Sequence, residues 1–398
     1  MRRMSLTERL SRATSHVPGP VAVVDLDAFD ANATDLLRRA GGRPVRVASK
    51  SVRVRSLVGR ALDAGFAGVM SFSLAEALWL AGTGVRDVLV GYPSVDRDAL
   101  ARLAGDATAR REVTLMVDDV AQLVPLRRAL EAAGEVLPDV QVCLDVDASL
   151  RLGVGPLQVH LGTRRSPLRS PADVATLAAR VEAVPGARLR GLMLYEAQVA
   201  GLPDTNPAVR LVKRLSVADV DGRRGELLAA TEAAVGHRLE LVNSGGTGSL
   251  ETSGAGPHVT EVTAGSGLFV PGLFDGYRSF APRPSAFFGL DVVRVPAPGW
   301  ATAFGGGYPA SGPAGRSRLP RVATAGWALT GAEGAGEVMT PLRRRPSGTR
   351  PLRVGDRVWM RHAKAGELME RFASVHLVRG DEVVDVVPTY RGEQRAFG

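Results

Sequence analysis

Eight short runs of β-forming residues recur between residues 43 and 266, each followed by a stretch with helical patterning. They are Arg43–Ser49, Ala67–Phe72, Asp87–Tyr92, Thr114–Asp119, Gln141–Val146, Leu189–Tyr195, Leu239–Ser244 and Glu261–Ser266. Most are rich in Val, Leu, Ala and Met without clean alternation, the pattern of parallel strands buried on both faces. The helical stretches carry their own punctuation. Ser73-Leu-Ala-Glu76, for example, is a capping-box sequence that opens an apolar segment stopping at Gly82. Eight β/α units over about 225 residues match the size of a (β/α)8 TIM barrel, and the regular count favours closure over an open doubly wound sheet.

Two regions fall outside that count. Val21–Leu26 precedes it and leads through Asp25-Leu-Asp27 into a helix with Ala31, Leu36 and Leu37. After about residue 285 the pattern changes. Phe288–Val295, Arg321–Leu329, Asp356–Met360, Ser374–Val378 and Glu382–Val387 read as strands separated by Gly/Pro-rich turns. The expected organisation is a barrel domain over 27–285 and a mostly β domain built from 286–398 together with 1–26, which contributes the N-terminal strand.

The net charge of +9 invites a nucleic-acid reading, because Lys and Arg release counterions from phosphate. The arginines are scattered among acids, however. The one dense run, Arg343-Arg344-Arg345 with Arg350 and Arg353, sits in a Pro/Gly/Ser/Thr stretch that reads as an exposed loop. Aromatic residues are only 5% of the chain and none interleave with that run, so no stacking platform is expected and nucleic acid is not a partner. No apolar run approaches the ~18 residues of a membrane span. The basic start, Met-Arg-Arg-Met, has no apolar segment behind it, and the single cysteine, Cys143, forms no internal disulfide. Both features agree with the reducing cytoplasm. Cys143 reads as core.

Of the 50 basic residues only three are lysines: Lys50, Lys213 and Lys364. Chemistry that needs a side-chain amine therefore has three candidates. In a barrel the active site lies at the carboxyl ends of the strands. Strand one ends in Ala48-Ser49-Lys50-Ser51, which places an amine behind an apolar run, a partly desolvated setting that favours the neutral nucleophile. Lys213, between strands six and seven, reads as a surface-helix residue. Strand five ends in Asp145-Val-Asp147-Ala-Ser-Leu-Arg151-Leu-Gly153, read either as a structural ion pair or as an arginine aimed at a cofactor oxygen. Strand six ends in Tyr195-Glu196-Ala-Gln198. Strands seven and eight end in Asn243-Ser244-Gly245-Gly246-Thr247-Gly248 and Thr263-Ala-Gly265-Ser266-Gly267, loops with the composition of a phosphate cradle, at the two places where barrels commonly hold phosphate. A lysine and a phosphate cradle across one barrel mouth suggest pyridoxal 5′-phosphate, its aldehyde on Lys50 and its phosphate on the two loops.

In combination these segments resemble the alanine-racemase-like (fold type III) pyridoxal-phosphate enzymes, in particular the D-threonine aldolase and D-serine dehydratase branch. The resemblance runs over nearly the whole chain. Arg-Val-Ala-Ser-Lys50 is similar to the segment ending in that family's cofactor lysine. Leu150-Arg151-Leu-Gly153 resembles the motif whose arginine approaches the cofactor's phenolic oxygen, and Leu-Met-Leu-Tyr195 the motif with a cofactor-contacting tyrosine. Ser244-Gly-Gly246-Thr247 and Glu261-Val-Thr-Ala-Gly265-Ser266 resemble the phosphate-contacting segments. Near the C-terminus, Met-Arg-His362-Ala-Lys364 resembles the segment where the family's lyases place a His-x-Cys or His-x-Asp pair on a divalent metal. Here Lys364 occupies the second position, and an ammonium cannot coordinate a metal. Two readings stand: the metal is absent and Lys364 supplies its charge, or Glu367 takes the ligand's place. His16, His160, His237, His258 and His376 show no ligand spacing.

The resemblance implies a lyase acting on a β-hydroxy-α-amino acid, a small-molecule substrate, in retro-aldol, dehydratase or reverse synthetic direction. Lys50 would then serve as the proton-transfer base, while His362 with Lys364 or an ion would act on the β-hydroxyl. It also implies a homodimer with a shared active site. An amino-acid racemase on the same fold and cofactor is the alternative; it needs a second base on the opposite face, and no tyrosine motif for it stands out. A non-catalytic carrier of the cofactor should not need a C-terminal domain. A sugar-phosphate barrel enzyme would be colourless.

Overall fold

Each of the eight expected runs contributes one strand to a closed parallel barrel in the computed structural model, which describes residues 4–134, 137–153, 155–281, 283–346 and 350–397. The strands are Val45–Ala48, Val69–Ser71, Val88–Val90, Val113–Val117, Val140–Asp145, Ala187–Leu194, Leu241–Ser244 and Glu261–Ala264. The last closes on the first, with Val262 opposite Val45 and Ala264 opposite Val47. Apolar residues on both faces explain the closure. Val45, Val47, Val69, Val88 and Val90 pack outward into the main core, whereas Leu89, Met116, Cys143, Met193 and Leu241 form a separate cluster within the barrel. Cys143 is buried there, and burial pushes its thiol well above the ordinary range. Toward the amino ends of the strands the interior turns ionic. Arg46 donates to both carboxylate oxygens of Glu261 at 2.7 Å and to Asp87 at 2.9 Å, and Arg190 reaches Asp87 at 2.6 Å.

The helix opened by Ser73 runs over Leu74–Gly82, with the Ser73 hydroxyl accepting the Glu76 N–H at 3.2 Å. The reciprocal bond differs from the box expected: the Glu76 carboxylate takes the Phe72 N–H at 2.8 Å. Lys213 lies on the long helix Pro207–Val235 but faces inward, correcting its reading as a surface residue. Its ammonium donates to Asp204 at 2.7 Å and lies 4.9 Å from the Tyr277 ring centroid, so an apolar stem and a local acid make burial tolerable.

The second sheet has nine strands among the described residues. Its hub, Ala286–Arg294, pairs antiparallel with the N-terminal strand Val21–Asp25 along one edge and with Arg357–Arg361 along the other. Val21–Asp25 in turn runs parallel to Ser374–Arg379, which forms a hairpin with Glu382–Pro388. The expected strand Arg321–Leu329 is two short pieces, Arg321–Val322 and Trp327–Leu329, broken at Gly326 with φ +78°. Arg343 and Arg344 belong to a strand, Met339–Arg344, between Trp300–Phe304 and Trp327–Leu329, which corrects the loop expected there. Thr340 and Leu342 bury one face of that strand, and the Arg343 guanidinium lies 5.9 Å from the Trp300 ring centroid. Residues 347–349 of the same stretch lie outside the described residues. Among the described residues no helix is long and apolar enough to cross a membrane.

Candidate active site

The carboxyl ends of the barrel strands face loops of the second sheet across a cavity of about 380 Å³. Lys50 lines it from a 3-10 turn, Ser49–Ser51, directly after strand one. Its ammonium donates to the Tyr92 hydroxyl at 2.5 Å. Burial works to raise the Tyr92 phenol, but Lys50 beside it and Arg165 nearby outweigh that and hold it below its ordinary value. Tyr92 ends the third strand run and was given no role from sequence; its signal was an aromatic hydroxyl at a strand end.

Arg165 lies between two phenols, its Cζ 5.6 Å from the ring centroids of both Tyr92 and Tyr195. Tyr195 follows strand six directly, lines the cavity, and has its phenol raised by burial. Arg151 does not line this cavity. It stands on Leu150–Leu152, the first strand of a hairpin after strand five, with its guanidinium on Asp147 at 2.7 Å. The return limb of the same excursion brings Arg165 to the site instead. Behind Arg165, burial and the neighbouring Asp118 push the Asp145 carboxyl up to about 7, against the pull of Arg165.

Gly246, Thr247, Gly265 and Ser266 line the opposite side of the mouth. The two loops are laced together: the Gly267 N–H donates to the Thr247 hydroxyl at 3.0 Å, and the Ser51 and Ser266 hydroxyls are 3.0 Å apart. A Cβ on Gly246 would lie 2.8 Å from the Ala200 Cβ, and one on Gly265 2.6 Å from the Ala48 carbonyl oxygen. Both positions therefore require glycine, and bare backbone faces the cavity as in an anion cradle. Ser244 is placed differently from expectation. Its hydroxyl is buried, with its one proton shared between the Leu194 carbonyl at 2.8 Å and Glu196 at 2.9 Å. Glu196, which the sequence places at the end of strand six without a role, also accepts the Gly245 N–H at 3.1 Å and so moors the loop from beneath.

The second sheet supplies the facing wall. Lys364 lines the main cavity and a neighbouring one of about 510 Å³ that His362, Arg53 and Glu367 also line. The Lys364 ammonium donates to the Ser311 hydroxyl at 2.7 Å and lies 3.5 Å from Glu367. Glu367 accepts both the Ser311 N–H at 2.8 Å and its hydroxyl at 2.6 Å. His362 is buried edge-on to Phe269, with ring centroids 6.1 Å apart. Burial, helped by Arg361, pushes its imidazole down to about 4, so it is neutral at pH 7. Among the described residues no three His, Cys, Asp or Glu side chains converge as a metal site would require.

Comparison with known proteins gives a consistent family. The family described as alanine racemase, N-terminal domain, matches residues 24–271. D-threonine aldolase of Arthrobacter sp. is 25% identical over 291 residues, covering 71% of this chain and 70% of that protein. 3-Hydroxy-D-aspartate aldolase of Paracoccus denitrificans (strain Pd 1222) is 25% identical over 263 residues, covering 64% of this chain and 61% of that one. The crystal structure of D-threonine aldolase from Filomicrobium marinum superposes with a TM-score of 0.79 at 22% identity, over 94% of this chain and 96% of the other. At that identity the likeness is one of fold.

Proposed function

This chain belongs to the alanine racemase N-terminal domain family, and we propose that it is a pyridoxal 5′-phosphate-dependent lyase acting on a β-hydroxy-α-amino acid. The observation that carries the reading is the placement of Lys50 and two glycine-dependent loops around one cavity. The names of the aldolase relatives point to the same substrate class.

In this reading Lys50 holds the cofactor's aldehyde, while Gly246, Thr247, Gly265 and Ser266 hold its phosphate. Arg165, rather than Arg151, faces the ring, together with Tyr195. When bound, the cofactor withdraws electrons from the substrate's Cα and weakens the bonds to it. The chain's own groups do the rest. Lys50 moves protons at Cα, and the Tyr92 hydroxyl, 2.5 Å away, orients its amine. The Lys364 ammonium, fixed by Ser311 and Glu367, polarises the β-hydroxyl. His362 stays neutral and buried edge-on to Phe269, with neither ring nitrogen hydrogen-bonded among the described residues, and it is not among the residues that line the main cavity. The donor set does not suit a divalent metal: an ammonium stands beside His362, and Glu367 is already engaged by Ser311. A homodimer belongs to the same proposal and rests on the family resemblance.

The test is the visible spectrum of the purified protein before and after borohydride, followed by peptide mapping and by incubation with D-threonine and D-serine. A yellow protein, a reduced adduct on the Lys50 peptide and release of aldehyde or keto acid are expected. A colourless protein, or an adduct on Lys213, overturns the cofactor assignment. Racemised amino acid without aldehyde or keto acid replaces the lyase with a racemase.

A further inference from the structure

Four cationic side chains among the described residues line the 380 Å³ cavity: Lys50, Arg165, Lys364 and Arg318. The proposed reaction employs the first three. Arg318 ends a short 3-10 turn, Arg316–Arg318, in the loop that follows the strand Trp300–Phe304 of the second sheet. The loop fixes its backbone, since the Arg318 N–H donates to the Gly315 carbonyl at 3.0 Å and its own carbonyl accepts the Ala310 N–H at 2.8 Å. Ser311, in the same loop, binds Lys364 and Glu367 and so moors the loop to the Lys364 segment. The guanidinium passes over Gly312, where φ is +119° and a Cβ would lie 2.8 Å from Nε and 3.0 Å from Cζ. Only glycine leaves that space.

No carboxylate among the described residues answers this charge. Arg318 Nε is buried without a hydrogen-bond partner, and the guanidinium forms no ion pair among the described residues. Arg318 is half-buried, with Nε shielded and the rest of the fork open to the cavity it lines, so an anion arriving from outside can complete the arrangement. The planar fork suits a carboxylate, which it meets with two parallel N–H bonds. Phosphate already has its cradle in the glycine loops, which the barrel contributes.

We propose that Arg318 anchors the α-carboxylate of the substrate and is the residue that makes the site specific for amino acids over simple amines. The proposal rests on the lyase reading above and deepens it. With the carboxylate at Arg318, the amine at Lys50 and the β-hydroxyl at Lys364, three groups around Cα and Cβ are held at three points. That is the minimum needed to distinguish stereoisomers.

The test is a spectral titration of the cofactor-loaded protein with each enantiomer of serine and with ethanolamine, which is serine without its carboxylate. In the unaltered protein the preferred serine enantiomer should bind about 100-fold tighter than ethanolamine, the scale of a bidentate charged pair. Arg318→Met should weaken serine to the ethanolamine level and leave ethanolamine unchanged, with Arg318→Lys between the two. KM for a substrate that turns over should rise far more than kcat falls, while the Lys50 adduct and the circular dichroism spectrum stay unaltered. Gly312→Ala, which displaces the fork without removing it, should act in the same direction. Serine bound by Arg318→Met with unaltered affinity, or an equal loss of serine and ethanolamine, overturns the proposal. An unaltered protein that carries the Lys50 adduct yet ignores both ligands overturns the amino-acid reading, and Arg318's role with it.

Discussion

Glu76 shows how a single residue ties helix capping to pH. It sits in the first turn of Leu74–Gly82, completely buried, with the Phe72 N–H on its carboxylate. Burial pushes its carboxyl up to about 7, against the pull of Phe72, the Ser49 and Tyr390 hydroxyls and Arg53. Its folded value thus exceeds the ordinary 4.5, and the folded chain holds this proton more tightly than the unfolded chain. Stability from this group is full below pH 4.5 and falls as pH rises toward 7, by up to about 3 kcal/mol. Glu76→Gln removes that slope. Urea denaturation at pH 5 and pH 8 should show the variant gaining on the parent at pH 8; equal slopes in both would sink the argument. Asp145, also raised to about 7, leaves a residual slope of the same sign in the variant. Single residues were unevenly legible. Lys50 stood out because amines are rare and it followed an apolar run, whereas Lys213 hid a buried ion pair that only packing creates. Arg151 sits in the recognisable motif, yet a hairpin turns it onto Asp147 and carries Arg165 to the cavity. Strand-end position predicts which loop reaches a site, not which of its arginines arrives.

At the scale of elements, the barrel strands were readable because burial on both faces writes itself into composition. Two strands of the second sheet were not. Trp300–Phe304 has Ala301, Thr302 and Ala303 between its two aromatic ends, and Met339–Arg344 contains Pro341 and two arginines, so neither carries a run of large apolar residues. Their signal lies in the partner: five successive residue pairs join them. The close pairing of strands one and eight sets a further constraint at their carboxyl ends. Gly265 follows Glu261–Ala264, and a Cβ there would lie 2.6 Å from the Ala48 oxygen and 2.9 Å from both Ala48 and Ser51 Cβ atoms. Backbone cannot yield as a side-chain tip can. Gly265→Ala should therefore part the two strand ends and displace Ser266 from Ser51, now 3.0 Å away. The expected outcome is at least about a 10-fold loss of pyridoxal phosphate affinity, roughly 1.4 kcal/mol, with the barrel still folded. Retention of the cofactor through gel filtration at parental levels would contradict it.

Across the whole molecule the barrel separates its work between two ends. The carboxyl ends open onto the cavity, which four cations line; among the described residues three of them, Lys50, Arg165 and Arg318, have no carboxylate partner within ion-pair distance. The amino ends carry charges that are fully answered. Arg46 is buried, and Glu261 and Asp87 hold its guanidinium charged despite that burial. Arg190 reaches Asp87, and Asn243 donates to Glu261 at 2.6 Å, so strands one, six, seven and eight meet in one network. Breaking such a network on one side leaves a buried carboxylate without its cation, and that costs more than the pair itself contributes. Arg46→Met should lower unfolding stability by about 3 to 5 kcal/mol, measured by urea denaturation. Arg46→Met combined with Glu261→Gln removes the stranded charge and should recover most of the loss. The folded fraction of Arg46→Met should keep its Lys50 adduct, because Arg46 does not line the cavity and Asn243, which does, retains its bond to Glu261 in that variant. If the double variant were as unstable as the single one, the loss would come from packing around Arg46. The ionic network would then be incidental to holding the barrel closed.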